Sequence, residues 1–125
     1  MKARRNNKVG RVQHSITRGS DNVFADLGFS PSDAADLKIK ADLTWQIHHR
    51  IKELGLTQAK AATQLGLSQP DVSKLMNGRH TGYSVDRLLL LLNALEIDVD
   101  IVIRPKIHNQ KARRGTVRVV ETASA

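Results

Sequence analysis

The sequence predicts an all-α bundle of four to five helices, followed by a C-terminal strand. Apolar residues recur every three or four positions across the middle of the chain, which is the spacing of one helical face. Capping residues and glycines mark the ends of the helical segments. After residue 96 the apolar period shortens to two, which is typical of a half-buried strand.

The longest helix is predicted over residues 31–54. Ser30 is placed to cap its first turn. Leu43, Ile47 and Ile51 follow each other at intervals of four, so they share one face. We expect this face to pack into the core.

An apolar segment precedes the long helix. Val23, Phe24, Leu27 and Phe29 lie close together and are interrupted by Gly28. We expect this segment to dock on a core and not to act as a free linker.

Three shorter helices follow, two of them spanning residues 57–65 and 68–77. Thr57 and Ser68 are placed as their N-caps. The next helix begins at Ser84 and contains an unbroken run of leucines. A helix that is apolar most of the way round is expected to be buried on several sides.

A strand is predicted over residues 97–104, with Pro105 ending it. A lone strand cannot satisfy its backbone groups and therefore needs a partner. The partner is either the β-prone run 116–120 or the same strand of a second subunit, paired antiparallel. We favour the second subunit, which makes four apolar residues the expected dimer interface: Ile97, Val99, Ile101 and Ile103.

The basic charge of the chain lies at its two ends. The formal net charge is +8, yet residues 21–103 hold eight basic and eleven acidic residues. Residues 1–20 and 104–125 hold six basic residues each. The two segments together contain a single acidic residue, Glu121 in the second. The tails are either solubilising arms or additional contacts to phosphates of nucleic acid, and the sequence favours neither.

Enzymatic, metal-dependent and single-strand-binding functions are not expected. The chain has no cysteine and no His-x-x-x-His pair among its five histidines (His14, His48, His49, His80 and His108), so no metal site or cofactor is predicted. No Gly-x-Ser-x-Gly or Gly-rich phosphate loop occurs, so no catalytic residues are proposed. Aromatic residues make up 3% of the chain, too few for the stacking platforms of single-strand binders.

The two short helices at 57–65 and 68–77 have the pattern of a helix-turn-helix. With Gln58 as position one, the fifth position is Ala62, where a small residue lets the helices touch. The ninth is Gly66, where the turn requires positive φ. One face of the second helix stays polar and is free to enter a DNA groove.

The segment LTQAKAATQLGLSQPDVSKLMNGR resembles the helix-turn-helix of the XRE family, which is related to the lambda-repressor and Cro proteins. The matching residues are Leu56-Thr57-Gln58, Ala62, Gly66, Ser68-Gln69, Val72-Ser73 and Gly78. From Ser20 to Pro105, about two-thirds of the chain, the sequence also resembles the HigA-type antitoxin branch of this family. The resemblance implies a lambda-repressor-like fold.

The resemblance also implies roles for individual residues. Gln58 is expected to contact a phosphate, and Gln69 to read adenine through its paired donor and acceptor. Lys74 is expected to reach guanine or a phosphate, and Pro70 to offer apolar contact alone. We assign Asp71 to capping, because phosphates would repel its carboxylate. The full set of expected DNA contacts is Gln58, Ser68, Gln69, Pro70, Ser73, Lys74, Asn77 and Arg79.

These features predict a cytoplasmic regulator that binds double-stranded DNA, as a homodimeric repressor on a palindromic operator. The alternative function is an antitoxin that neutralises a small ribonuclease toxin by direct binding and represses its own operon. Its toxin contact is expected within residues 1–30. The predicted organisation is an N-terminal arm (1–20), a helix-turn-helix domain (21–96), a dimerisation strand (97–105) and a basic tail (106–125). No membrane segment or signal peptide is expected.

Overall fold

The computed structural model describes residues 22–106 and 114–122, and within them it contains five helices and no strand. The helices are α1 (Val23–Asp26), α2 (Pro31–Glu53), α3 (Gln58–Leu65), α4 (Gln69–Met76) and α5 (Val85–Ala94). The helical part of the predicted fold class is therefore confirmed. The predicted N-terminal arm lies outside the described residues.

The same short capping motif begins each of the four longer helices. A hydroxyl group at the N-cap accepts a hydrogen bond from the backbone N–H three residues later, which satisfies one of the free donors of the first turn. These bonds are 3.1–3.2 Å long and belong to Ser30, Thr57, Ser68 and Ser84. The helix starts read from the sequence are therefore correct.

Helix α2 lies at the centre of the fold and contacts α1, α4 and α5, while α3 packs on α4 and α5. Ile47 and Ile51 of α2 are almost fully buried, as the helical spacing predicts. They join one continuous apolar cluster with Leu43 of the same helix and with residues that follow α2. The later residues are Ala61, Ala62, Leu65, Val72, Leu75, Leu88, Leu91, Leu92 and Leu95. This cluster fixes α3 and α4 against the rest of the molecule.

Arg50 of α2 links this helix to the end of α5 by hydrogen bonds. Its Nε donates to the carbonyl oxygen of Leu95 at 2.9 Å, and its Nη2 donates to that of Glu96 at 3.4 Å. Glu96 adopts a left-handed conformation with φ of 66°, a position usually taken by glycine at a helix end. The N–H of Ile97 then bonds the carbonyl oxygen of Leu92 at 3.1 Å, which turns the chain out of the bundle.

The segment 22–29, which contains α1, docks on α2 and leaves three of its apolar side chains outside the core. Asn22 joins the two helices, because its Nδ2 donates to the carbonyl oxygen of Ala34 at 2.7 Å. Val23, Leu27 and Phe29 remain 51%, 70% and 47% exposed. The segment therefore docks on the helical bundle as expected and is not a free linker, although these three side chains stay outside the core.

The predicted strand at 97–104 is absent from the single chain, and so is a strand at 116–120. Ile97 is half-buried against the core, whereas Ile101 and Ile103 are 76% and 90% exposed. The two runs do not pair with each other within the described residues. Instead, Val119 packs against the helical core, and Gln46 donates to Glu121 at 3.3 Å. A strand requires a pairing partner, and residues 22–106 and 114–122 supply none to residues 97–104.

Candidate nucleic-acid interface

Helices α3 and α4 form a helix-turn-helix joined by residues 66–68. Gly66 ends α3 with φ of 69° and ψ of 32°, the left-handed conformation that the ninth position requires. Ala62, at the fifth position, is buried, and its carbonyl oxygen accepts from the N–H of Leu67 at 3.0 Å. The local geometry that the sequence pattern predicts is therefore present.

Helix α4 has one fully buried face and one polar exposed face. Val72 and Leu75 are 0% exposed and anchor it in the core. Gln69, Lys74 and Asn77 are exposed. At about 100° per residue, Gln69, Asn77 and Lys74 lie at about 0°, 80° and 140° around the helix axis, on the half of α4 opposite Val72 and Leu75. This polar side is available for contact with another molecule.

The remaining predicted contact residues differ in their surroundings. Pro70 and the N-cap Ser68 are exposed, while Ser73 is half-buried. Asn77 Nδ2 donates to the carbonyl oxygen of Ser73 at 3.0 Å, so one of its donors already serves the end of α4. Arg79 follows in the next loop and is exposed.

Gln58 belongs to a different helix, as the first residue of α3, and is half-buried. The Thr57 hydroxyl caps the N–H of Lys60, three residues on. The earlier N–H groups of this first turn have no partner inside the helix, a geometry that favours anions. The start of α3 can therefore hold a phosphate.

Asp71, which the sequence assigns to capping, takes part in the N-terminal cap of α4 through its backbone alone. Its backbone N–H donates to the Ser68 hydroxyl at 3.2 Å, but its carboxylate accepts no hydrogen bond from residues 22–106 or 114–122. The Asp71 side chain lines a shallow cavity of about 320 Å³ instead, together with Lys74, Arg79, Thr81 and Tyr83. The prediction that the Asp71 carboxylate caps α4 is therefore wrong.

Tyr83 and Arg87 extend this polar surface and were not predicted from the sequence. The Arg87 guanidinium lies over the Tyr83 ring, 4.9 Å from its centroid. Burial raises the pKa of the Tyr83 hydroxyl, and the negative charge of Asp71 raises it further. Tyr83 therefore keeps its proton and can donate a hydrogen bond into the cavity. In the sequence, Tyr83 and Arg87 lie on either side of the Ser84 cap, and this spacing could have indicated their contact.

His48 supports the far end of α4. Its Nδ1 donates to the carbonyl oxygen of Met76 at 2.8 Å, which links α2 to the last turn of α4. The neighbouring His49 stacks on Trp45 with ring centroids 5.0 Å apart. Both adjacent histidines therefore have structural contacts, and within the described part of the chain no group of three or more metal-ligating side chains occurs.

The loop after α4 should make stability depend on pH. Burial, then the positive charge of Lys40, lowers the pKa of His80 below its ordinary value. The unfolded chain therefore binds this proton more readily than the folded one, and the free energy of unfolding falls as pH drops below about 6.5.

The predicted comparison is urea unfolding at pH 7.5 and pH 5.5 for wild type and His80→Gln. Wild type should lose more stability between the two pH values than the variant, which cannot titrate at this position. Equal losses would show that His80 does not contribute to the acid sensitivity.

No helix in the described ranges is both long and apolar enough to cross a bilayer. The family of proteins described as "Helix-turn-helix domain" matches residues 23–104. A solved structure whose name assigns it to the XRE family of transcriptional regulators is 43% identical, with a TM-score of 0.64. That match covers 70% of this chain and 99% of the other. No curated protein matches the chain significantly.

Proposed function

Because this chain belongs to the XRE-type helix-turn-helix family of regulators, we propose that it is a dimeric repressor that recognises a specific sequence in double-stranded DNA. The observation that carries the proposal is the division of α4 into a fully buried face and an exposed polar face. A helix held in this way presents its polar side chains at fixed positions, as reading a major groove requires.

In this proposal Gln69 and Ser73 face the base edges. Gln69 is exposed in the first turn of α4, and its amide can pair with adenine through two hydrogen bonds. Pro70 contributes apolar contact next to it. Lys74 contacts guanine or a phosphate.

The backbone contacts surround this reading face. Gln58 at the start of α3 and Arg79 in the following loop hold phosphates and set the position of α4 in the groove. Asn77, at the end of α4, adds a further contact of this kind, while Ser68 is proposed to lie with Gln69 and Ser73 at the groove-facing front of the helix. The phosphate contacts carry no sequence information. The cationic side chains, Arg79 here and Lys74 where it meets a phosphate, release counterions on binding, so they should make affinity dependent on salt.

Dimerisation is proposed to occur through residues 97–104. Val99, Ile101 and Ile103 leave 37%, 76% and 90% of their surface exposed in the single chain. Exposed apolar side chains and unpaired backbone groups on this segment favour pairing with a second copy of the chain. Two copies would place their α4 helices about 34 Å apart, in successive major grooves.

The proposal is tested by fluorescence anisotropy with the DNA upstream of the protein's own gene and with a shuffled duplex of equal length. Specific binding should exceed binding to the shuffled duplex by about 1,000-fold or more at physiological salt. The affinity for both duplexes should fall steeply as salt rises. Equal affinity for the two duplexes would contradict recognition of this sequence.

A second candidate function is that of an antitoxin, and the exposed apolar side chains of segment 23–29 favour it. Val23, Leu27 and Phe29 present apolar side chains that the helical core does not use. A small ribonuclease toxin could cover them. Co-expression with the product of the adjacent gene tests this candidate. Co-purification lost in Leu27→Asp would support it, and co-purification unchanged by this substitution would exclude segment 23–29 as the contact.

A further inference from the structure

We infer that two copies of this chain pair their 98–106 segments antiparallel, with the two-fold axis passing at Val102. In this register Asp100 of each copy lies opposite Arg104 of the other. The inference rests on the proposed dimer and specifies how its interface is built.

The segment has an unpaired backbone and two distinct faces. Residues 98–105 form no hydrogen bond with any other part of the described chain. Ile97 packs against the helical core, and side chains alternate along an extended segment. The face that continues from Ile97 is apolar, while the opposite face carries Asp98, Asp100, Val102, Arg104 and Lys106.

Two-fold symmetry restricts the registers that are available. In an antiparallel pair of identical strands the axis passes through one residue position, and residues equally distant from that position face each other. Directly opposed side chains share one face, so the charged residues meet only one another and Val102. Each choice of central residue therefore defines a different set of charge pairs.

The Val102 register satisfies both carboxylates. It places Asp100 opposite Arg104 and Asp98 opposite Lys106, and each pair occurs twice. A centre at Ile101 leaves Asp100 opposite Val102, and a centre at Asp100 places two carboxylates against each other. Opposite charges across a strand pair stabilise it, whereas like charges destabilise it.

Pro105 agrees with the Val102 register. Proline has no N–H, so within a sheet it must avoid positions that donate to the neighbouring strand. With the axis at Val102, Pro105 faces Val99, and this pair can be the non-hydrogen-bonded type. Pair types alternate along the ladder, so Val102 then exchanges both backbone hydrogen bonds with its symmetry mate.

A single introduced cysteine tests the register, because the natural chain contains none. In Val102→Cys the two thiols would sit on Cα atoms about 5.5 Å apart, within disulfide range. In the matched control, Asp100→Cys, the two thiols would be displaced by four residues, about 13 Å along the strands. Under glutathione oxidation Val102→Cys should run as a covalent dimer on a non-reducing gel, and Asp100→Cys as a monomer. A mixture of Asp100→Cys and Arg104→Cys should form the covalent heterodimer.

Analytical ultracentrifugation of the wild type separates the possible failures. If the wild type is dimeric but Asp100→Cys cross-links in place of Val102→Cys, the register is overturned and the proposed dimer stands. If the wild type is dimeric and neither variant cross-links, pairing at Val102 is overturned as well. A monomeric wild type would overturn the proposed dimer itself.

Charge exchange provides an independent check without cysteine. Asp100→Arg should weaken dimerisation by about tenfold or more, because two arginines then face each other at two symmetric places. Combining Asp100→Arg with Arg104→Asp should restore dimerisation. Failure of the double variant to recover would contradict the predicted pairing of these two residues.

Discussion

Replacing Leu75 by alanine is expected to lower the free energy of unfolding by about 2–5 kcal/mol. Leu75 is 0% exposed and belongs to the cluster that holds α4 against α2 and α3. The substitution removes buried methyl groups and leaves a cavity that the surrounding helices fill only in part. Urea unfolding monitored by circular dichroism measures this loss, which is a large share of the stability of a small domain.

The matched control for Leu75→Ala is Lys74→Ala, on the exposed side of the same helix. Both residues favour helices to a similar degree, so helix propensity changes little between the variants. The control should change stability by less than about 0.5 kcal/mol. Equal effects of the two substitutions would contradict the assignment of opposite faces to α4.

The double variant Lys74→Gln and Arg79→Gln is expected to bind DNA about 100-fold more weakly than wild type at physiological salt. Both side chains are exposed beside the polar face of α4, and neither forms an ion pair with residues in the described ranges. The slope of log affinity against log salt should also decrease by about 3 to 4 for a dimer, which loses four phosphate contacts.

Lys38→Gln serves as the charge control for this experiment. Lys38 lies on α2 and is paired with Asp42 at 3.1 Å, so its ammonium group already has a partner. The control should leave the salt slope unchanged. Lys38→Gln could instead lower the salt slope by the amount expected for one charge removed at α4. That result would indicate that net charge, and not contact at α4, governs binding.

Local signals were sufficient to predict the helices. A hydroxyl residue before each helix satisfies backbone donors within three residues, so the capping bonds of Thr57 and Ser68 depend on neighbouring sequence alone. The left-handed turn at Gly66 is likewise a property of one residue. The buried and exposed faces of α4 follow from the spacing of its apolar residues.

Contacts between distant segments were not predictable in the same way. The bonds of Arg50 to the end of α5 and of His48 to the end of α4 join residues 45 and 28 positions apart. Nothing in their immediate neighbourhood distinguishes these side chains from ordinary surface residues. The shared cavity of Asp71 and Tyr83 also depends on how the loop returns to α4.

The exposure of the apolar side chains at 23–29 and the state of residues 97–104 could not be read from those segments alone. The segment at 23–29 docks on α2 as expected, but this contact leaves Leu27 70% exposed. The alternation at 97–104 indicates a segment able to form a strand. Strand formation also requires a neighbouring strand, and the described part of the chain provides none beside residues 97–104.

The central claim is that the exposed face of α4 reads DNA sequence, and Gln69→Ala tests it most directly. The measurement is competition between the upstream duplex and a shuffled duplex for wild type, Gln69→Ala and Gln64→Ala. Gln64 carries the same side chain on α3, but its amide donates to the carbonyl oxygen of Ala94, toward α5. Loss of selectivity by about 10-fold or more in Gln69→Ala alone is the predicted result. Unchanged selectivity in Gln69→Ala, or an equal loss in both variants, would contradict reading of bases by Gln69 on α4.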